Sequence, residues 1–170
     1  SESERAVKCA TRAYELRGRV TERERLSIEG NYYLIATGEL VKAEQVYELY
    51  VQTYPRDTGA HANLAFTAYS LGDVDFLIAT TAAPQRETLD AEELADYCES
   101  IKCISLKILA TEAGGPQDET GMVRFHASMQ VDGKRRLHAE TSQFHREDGA
   151  WVYEAEDEAE DGEAGEGGEA

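Results

Sequence analysis

The chain is predicted to be an α+β protein, helices first and an antiparallel sheet afterwards. Three observations carry that prediction. Between Thr21 and Cys98, apolar residues recur every three to four positions between capping residues and glycines. From Ile104 onward the repeat drops to two. The dipeptides Asp132-Gly133 and Asp148-Gly149 then cut the last third into alternating segments, as two-residue hairpin turns do.

The helical part reads in order. Residues 1–17 can form one helix with Val7, Ala10, Tyr14 and Leu16 on a stripe. Thr21 and Glu24 form a capping box that opens a second helix, 22–37, bearing Leu26, Tyr33, Leu34 and Ile35 and stopping at Gly38. A third presents Leu40, Ala43, Val46, Tyr47, Tyr50 and Val51 and ends at Pro55. Thr58 opens a fourth, with Leu64, Ala65, Ala68, Tyr69 and Leu71 before Gly72. After it the pattern changes. Asp73 can cap a short helix through Ala79, Pro84 ends that segment, and Asp90 with Glu93 caps another helix carrying Leu94, Tyr97 and Cys98.

In the sheet, Ile104, Leu106 and Ile108 alternate with Ser105, Lys107 and Leu109, and a Gly114-Gly115-Pro116 loop follows. Counting outward from Asp132-Gly133 pairs Val131 with Lys134, Met129 with Arg136, Ala127 with His138, Phe125 with Glu140 and Val123 with Ser142. Counting from Asp148-Gly149 pairs Phe144 with Tyr153 and Arg146 with Trp151. One face therefore gathers an apolar row, a polar row and two aromatics.

Gly38 and Gly72 lie 34 residues apart, the period of the tetratricopeptide repeat, and Gly38, Ala43, Tyr47 and Pro55 resemble its small, aromatic and proline positions. Leu64, Ala65 and Gly72 resemble the start of a further unit. The stretch from Glu4 to Asp57 is also similar to the repeat region behind some bacterial serine/threonine kinases. No kinase signature is present, so no phosphoryl transfer is implied. The run YSLGDVDFLIATTAAPQRETLDAEELADYCES, with LKILATEAGG and RLHAETSQFHREDGAWVY, resembles the middle domain of the YchJ-like family. That resemblance implies a cone of the nuclear transport factor 2-like superfold, dimerisation through its sheet, and no particular activity. The SEC-C motifs that usually flank it are missing, since no C-x-C-G-S-G string occurs. The expected organisation is a tetratricopeptide-like array over 1–72, a nuclear transport factor 2-like domain over 66–154 sharing helix 58–71, and a disordered acidic tail over 155–170.

Charge narrows the partners. Nine of the 34 acidic residues fall between Glu154 and Glu169, leaving 25 acids against 17 bases in the body. Such a tail has nothing to bury and repels itself; it solubilises the chain or docks on a basic partner. The main basic cluster, Lys134-Arg135-Arg136, sits at a hairpin tip, which disfavours nucleic acid. No apolar run is long enough to cross a bilayer and no signal peptide opens the chain, so a soluble cytoplasmic protein is expected. Ser1 in place of Met fits a processed chain or part of a larger one. Cys9, Cys98 and Cys103 are odd in number without C-x-x-C spacing, which points to reduced thiols, the latter two in the core. His126 falls on the face opposite His138, and His145 on the His126 face further along, so no metal site is expected and no cofactor is implied.

His138, Glu140 and Ser142 are the candidate catalytic residues. A carboxylate in an apolar cone, beside an imidazole on the same face, suits acid/base work. The expectation favoured for the same row is a satisfied structural network. The trio lacks the sharp turn of a hydrolase nucleophile. Phe125, Phe144, Trp151 and Tyr153 would wall the pocket or simply close a core. Two functions are weighed at this level, the first leading and the second its alternative. One is a non-enzymatic scaffold binding a protein partner through Tyr33, Tyr47 and Tyr50 of the helical groove, or through the sheet. The other is a small-molecule binder or acid/base enzyme using Glu140 and His138.

Overall fold

A computed structural model describes residues 2–115 and 117–158 of the 170-residue chain. Seven α-helices precede a four-stranded sheet: α1 Glu2–Leu16, α2 Glu22–Asn31, α3 Leu40–Thr53, α4 Thr58–Leu71, α5 Val74–Ala79, α6 Ala83–Arg86 and α7 Ala91–Ser100, then β1 Ile101–Ala113, β2 Thr120–Val131, β3 Lys134–Glu147 and β4 Ala150–Glu158. The α+β class and the order of its layers are as the sequence predicts.

Caps define the helices. Thr21 accepts from the Glu24 N–H while the Glu24 carboxylate accepts from the Thr21 N–H, so the capping box opens α2. Asp73 accepts from Phe76 N–H and Asp90 from Glu92 and Glu93 N–H, fixing the starts of α5 and α7. The cap of α4 is Asp57, accepting from Ala60 N–H, one residue before the predicted Thr58. Two features escape the periodicity. A π-helical turn, Tyr32–Thr37, continues α2, and α6 is a single turn with Pro84 in its first positions, where a missing N–H costs nothing.

Helices α2, α3 and α4 pack in sequence. Their buried residues, Leu26, Leu34, Ala43, Tyr47, Tyr50, Ala60, Ala62, Leu64 and Phe66, form one cluster with Leu106, Val123 and Ala127 of the sheet. No spacer divides the helical layer from the sheet. Helix α4 belongs to both, as one face meets α3 and another meets β1 and β2. At this join the backbone of Gly114, with φ of 76°, passes so close to Thr58 that a Cβ would lie 2.5 Å from the threonine methyl.

This packing corrects one expectation. Tyr47 and Tyr50 are 0% and 7% exposed, inside the core rather than on an open groove. Their hydroxyls are already engaged, Tyr47 donating to Asn31 Oδ1 at 3.2 Å and Tyr50 to Asp57 Oδ2 at 2.9 Å. Both lie on the inward stripe of an amphipathic helix flanked by α2 and α4, so burial of the ring decides their place. Tyr33 is half-buried, edge-on to Tyr14 and Tyr32, whose rings stack at 3.9 Å.

The sheet is an antiparallel meander, β1-β2-β3-β4. Every pairing counted from the two Asp-Gly turns is found, including Phe125 with Glu140, Val123 with Ser142 and Arg146 with Trp151. Bulges between Cys103 and Ser105, and between Ile108 and Ala110, bend β1. The loop after α5 is pinned to β4, with Tyr153 N–H donating to Thr80 O at 2.8 Å and Ala82 N–H to Tyr153 O at 2.7 Å. Strand β4 continues to Glu158, four residues into the segment expected to lack structure. The remainder of that tail, 159–170, lies outside the described residues.

Candidate functional site

The bent sheet and the helices enclose a cavity of about 390 Å³, partly open to solvent. Its sheet wall carries Phe125, Ala127, Met129, His138, Glu140, Ser142, Phe144, Trp151 and Tyr153. All seven residues singled out from the hairpin count are thus brought together on one surface. Alternation does this: odd positions of β2 and even positions of β3 face the same way, so the two hairpins place them side by side.

The polar row is a connected unit. His138 Nε2 lies 2.8 Å from Glu140 Oε2, and the Ser142 hydroxyl donates to Glu140 Oε1 in a short hydrogen bond. Glu140 is 9% exposed and Ser142 2%. A carboxylate in such a place needs donors, and each oxygen has one. Both oxygens keep lone-pair capacity for a ligand, because an ionised carboxylate offers about four acceptor sites. The Ser142 hydroxyl donates to Glu140 from the middle of a strand, without the sharp turn that presents a hydrolase nucleophile.

The helix wall was not legible as part of a site. Phe66 and Tyr69 of α4, Phe76 of α5 and Tyr97 of α7 complete an aromatic enclosure, with His61 and Thr80 also on the lining. The signal was present in α4, where His61, Ala62, Ala65, Phe66 and Tyr69 recur at three-to-four spacing on a face other than that of Ala60 and Leu64. Assigning that face to a cavity required knowing which elements it meets. Burial holds the His61 imidazole below its ordinary range, although its contact with Pro55 O at 3.1 Å opposes the shift. Cys103, expected in the core, lines the cavity, and burial pushes its thiol up, away from the reactive thiolate. Cys98 is buried with Ala68 and Leu77.

Trp151 closes one end. It is 5% exposed, lies under the Arg146 guanidinium at 4.6 Å from the ring centre, and its indole N–H has no hydrogen-bond partner among the described residues. The ring of Tyr153 meets Phe144 edge-on at 6.0 Å. On the other face of the sheet, His145 contacts Glu154 and Glu147 at 3.1 and 3.2 Å, far in register from His126. Among the described residues no three metal-ligating side chains converge.

A second depression, at the α3–α4 turn, is lined by Arg23, Arg56, Asp57, Thr58, Gly114 and Gly115. Arg23 donates twice to Asp57 Oδ2, at 2.6 and 2.9 Å, and Arg56 reaches the Gly115 carbonyl. The cone is the better candidate because its carboxylate retains acceptor capacity inside an apolar wall.

The family described as "YchJ, middle NTF2-like domain" matches residues 65–156, more than half of the chain. The chain belongs to this YchJ family. The match runs from the middle of α4 into β4 and so covers most of the elements that build the cavity. A UPF0225 protein of Geobacter sulfurreducens is 35% identical over 107 residues, 58% of this chain and 66% of that one. One from Chromobacterium violaceum is 42% identical over 89 residues, 52% and 64% of the respective chains. This YchJ-family chain therefore spans just under two-thirds of the length of these curated relatives. Among solved structures, a SEC-C motif containing protein from Rhodopseudomonas palustris superposes with a TM-score of 0.54 at 24% identity, covering 59% of this chain and 77% of its own. Another, from Psychrobacter arcticus, gives 0.51 at 16%, covering 58% of each chain. These two likenesses concern the fold alone. Among the described residues no helix is long and apolar enough to cross a membrane.

Proposed function

We propose that the YchJ-type domain of this chain binds a small, mostly apolar molecule in its cone, and that Glu140, steadied by His138 and Ser142, is the group that addresses it. The observation that carries this reading is the cavity of about 390 Å³ touching Glu140, because a purely structural network would sit in a filled core. The volume suits a molecule of up to three rings. Glu140 and His138 are also placed for proton transfer to such a molecule, the carboxylate accepting and the imidazole relaying. In this reading residues 1–72, tetratricopeptide-like in pattern, serve chiefly as the wall that holds α4 in place. A scaffold role would need a surface other than Tyr47 and Tyr50, which the core consumes.

Trp151 is the one tryptophan of the chain and lines the cavity, so its emission reports occupancy. Titration with N-phenyl-1-naphthylamine is expected to quench Trp151 with saturable one-site behaviour. Ala65→Phe, which fills the helix wall, is expected to weaken that binding by about tenfold or more, against the tenfold that each 1.4 kcal/mol represents. Unchanged emission and unchanged amide NMR shifts across apolar probes of this size would refute the reading.

A further inference from the structure

The lining of the cone is unequal in charge. Among the described residues Glu140 is the only carboxylate on it, no lysine or arginine lines it, and the remaining polar side-chain groups are two imidazoles, hydroxyls, the Trp151 indole N–H and one thiol. Around that carboxylate stand eight aromatic side chains, drawn from α4, α5, α7 and all of β2, β3 and β4. Aromatic faces carry negative quadrupole potential and attract cations, most strongly where water is excluded. A single buried carboxylate within aromatic walls is therefore a site for positive charge.

From this we infer that the ligand of the cone is an organic cation, a substituted ammonium whose apolar groups fill the aromatic enclosure while its charge lies beside Glu140. The inference rests on the cavity reading proposed above and narrows it. The two donors on Glu140 are a single imidazole nitrogen and a hydroxyl. They satisfy lone pairs without removing the carboxylate's own charge when the imidazole is neutral. A quaternary ammonium donates no hydrogen bond, so it is held by charge and ring faces, which Glu140 and the aromatic walls supply. An anionic ligand would meet the same carboxylate and the same ring faces with repulsion, and among the described residues Arg146 lies over the Trp151 ring without itself lining the cavity. A neutral ligand would gain from burial alone.

Three isosteric probes separate these cases: benzyltrimethylammonium, its uncharged carbon analogue neopentylbenzene, and the anion phenylmethanesulfonate. Each is titrated into the full chain at pH 8, where imidazoles are ordinarily neutral, with Trp151 emission and the Trp151 indole NMR signal as readouts. The cation is expected to bind at least about tenfold more tightly than neopentylbenzene, and the sulfonate not to saturate. Glu140→Gln, which keeps shape and one acceptor oxygen, is expected to reduce binding of the cation by about tenfold while leaving neopentylbenzene within about twofold. Retained binding of the neutral probe shows that the variant is folded. Equal binding of cation and neutral probe, or equal losses for both in Glu140→Gln, overturns the charge preference while the cavity reading stands. Silence with all three probes and with N-phenyl-1-naphthylamine overturns the cavity reading itself.

Discussion

Asp57 shows how much one side chain can hold. It caps α4 through Ala60 N–H, accepts the Tyr50 hydroxyl, and takes two bonds from Arg23 across from α2. Burial pushes its carboxyl up, but the Arg23 guanidinium, the Ala60 N–H and the Tyr50 hydroxyl together outweigh this and hold it below the ordinary carboxylate value. Asp57→Ala removes a cap and orphans a largely buried hydroxyl, and is expected to cost about 2 to 4 kcal/mol at pH 7. Arg23→Ala deletes a guanidinium that is mostly exposed, and is expected to cost less than about 1 kcal/mol. The pH dependence has a definite sign. A depressed folded value means that the ionised form stabilises the fold above the unfolded pKa, about 3.9, and that this contribution disappears as pH falls through the folded value. Urea unfolding of wild type and Asp57→Ala at pH 7 and near pH 3 should show the difference narrowing in acid. A constant difference would assign the whole cost to the cap.

At the scale of the element, the hairpins set the site. The β2–β3 turn places Asp132 at φ of 50° and Gly133 at φ of 75°, the paired positive values that a two-residue turn matching strand twist requires. Gly133→Ala puts a Cβ into left-handed backbone and is expected to cost about 1 kcal/mol by urea unfolding. Since the turn lies at the far tip from Glu140, Trp151 quenching by a bound probe should be unchanged. This is also where the sequence was most readable. An Asp-Gly dipeptide fixes register, and register fixes which side chains share a face, so His138, Glu140, Ser142, Phe125, Phe144, Trp151 and Tyr153 could be grouped by counting residues alone. The bulges in β1, the π turn after α2 and the single turn of α6 could not, because each is a local departure from the periods of two and 3.6 that a sequence displays. Tyr47 and Tyr50 illustrate a second limit. A tyrosine at helical spacing fits an interface and a core equally well, and only the presence of α2 and α4 on either side decides between them.

For the whole molecule, the decisive feature is that α4 serves two layers. One cluster of buried side chains runs from Leu26 and Tyr47 through Ala60 and Leu64 to Leu106, Val123 and Ala127, joining helices and sheet beside the cavity. Removing the first three helices would expose one flank of α4 and strip its cap, Asp57, of Arg23 and Tyr50, and α4 in turn carries Phe66 and Tyr69 into the cavity. Shared burial of this kind makes the two layers fold as one cooperative unit, since neither can open without exposing the apolar face of the other. Urea unfolding followed by far-ultraviolet dichroism, dominated by the helices, should therefore coincide in midpoint and slope with unfolding followed by Trp151 emission from β4. A ligand confined to the cone should raise both midpoints together, because it binds only the folded state of a single unit. If the dichroism signal were lost in a separate step while Trp151 stayed protected, the helical array would be an independent domain. The cavity wall contributed by α4 would then have to be held by the sheet alone.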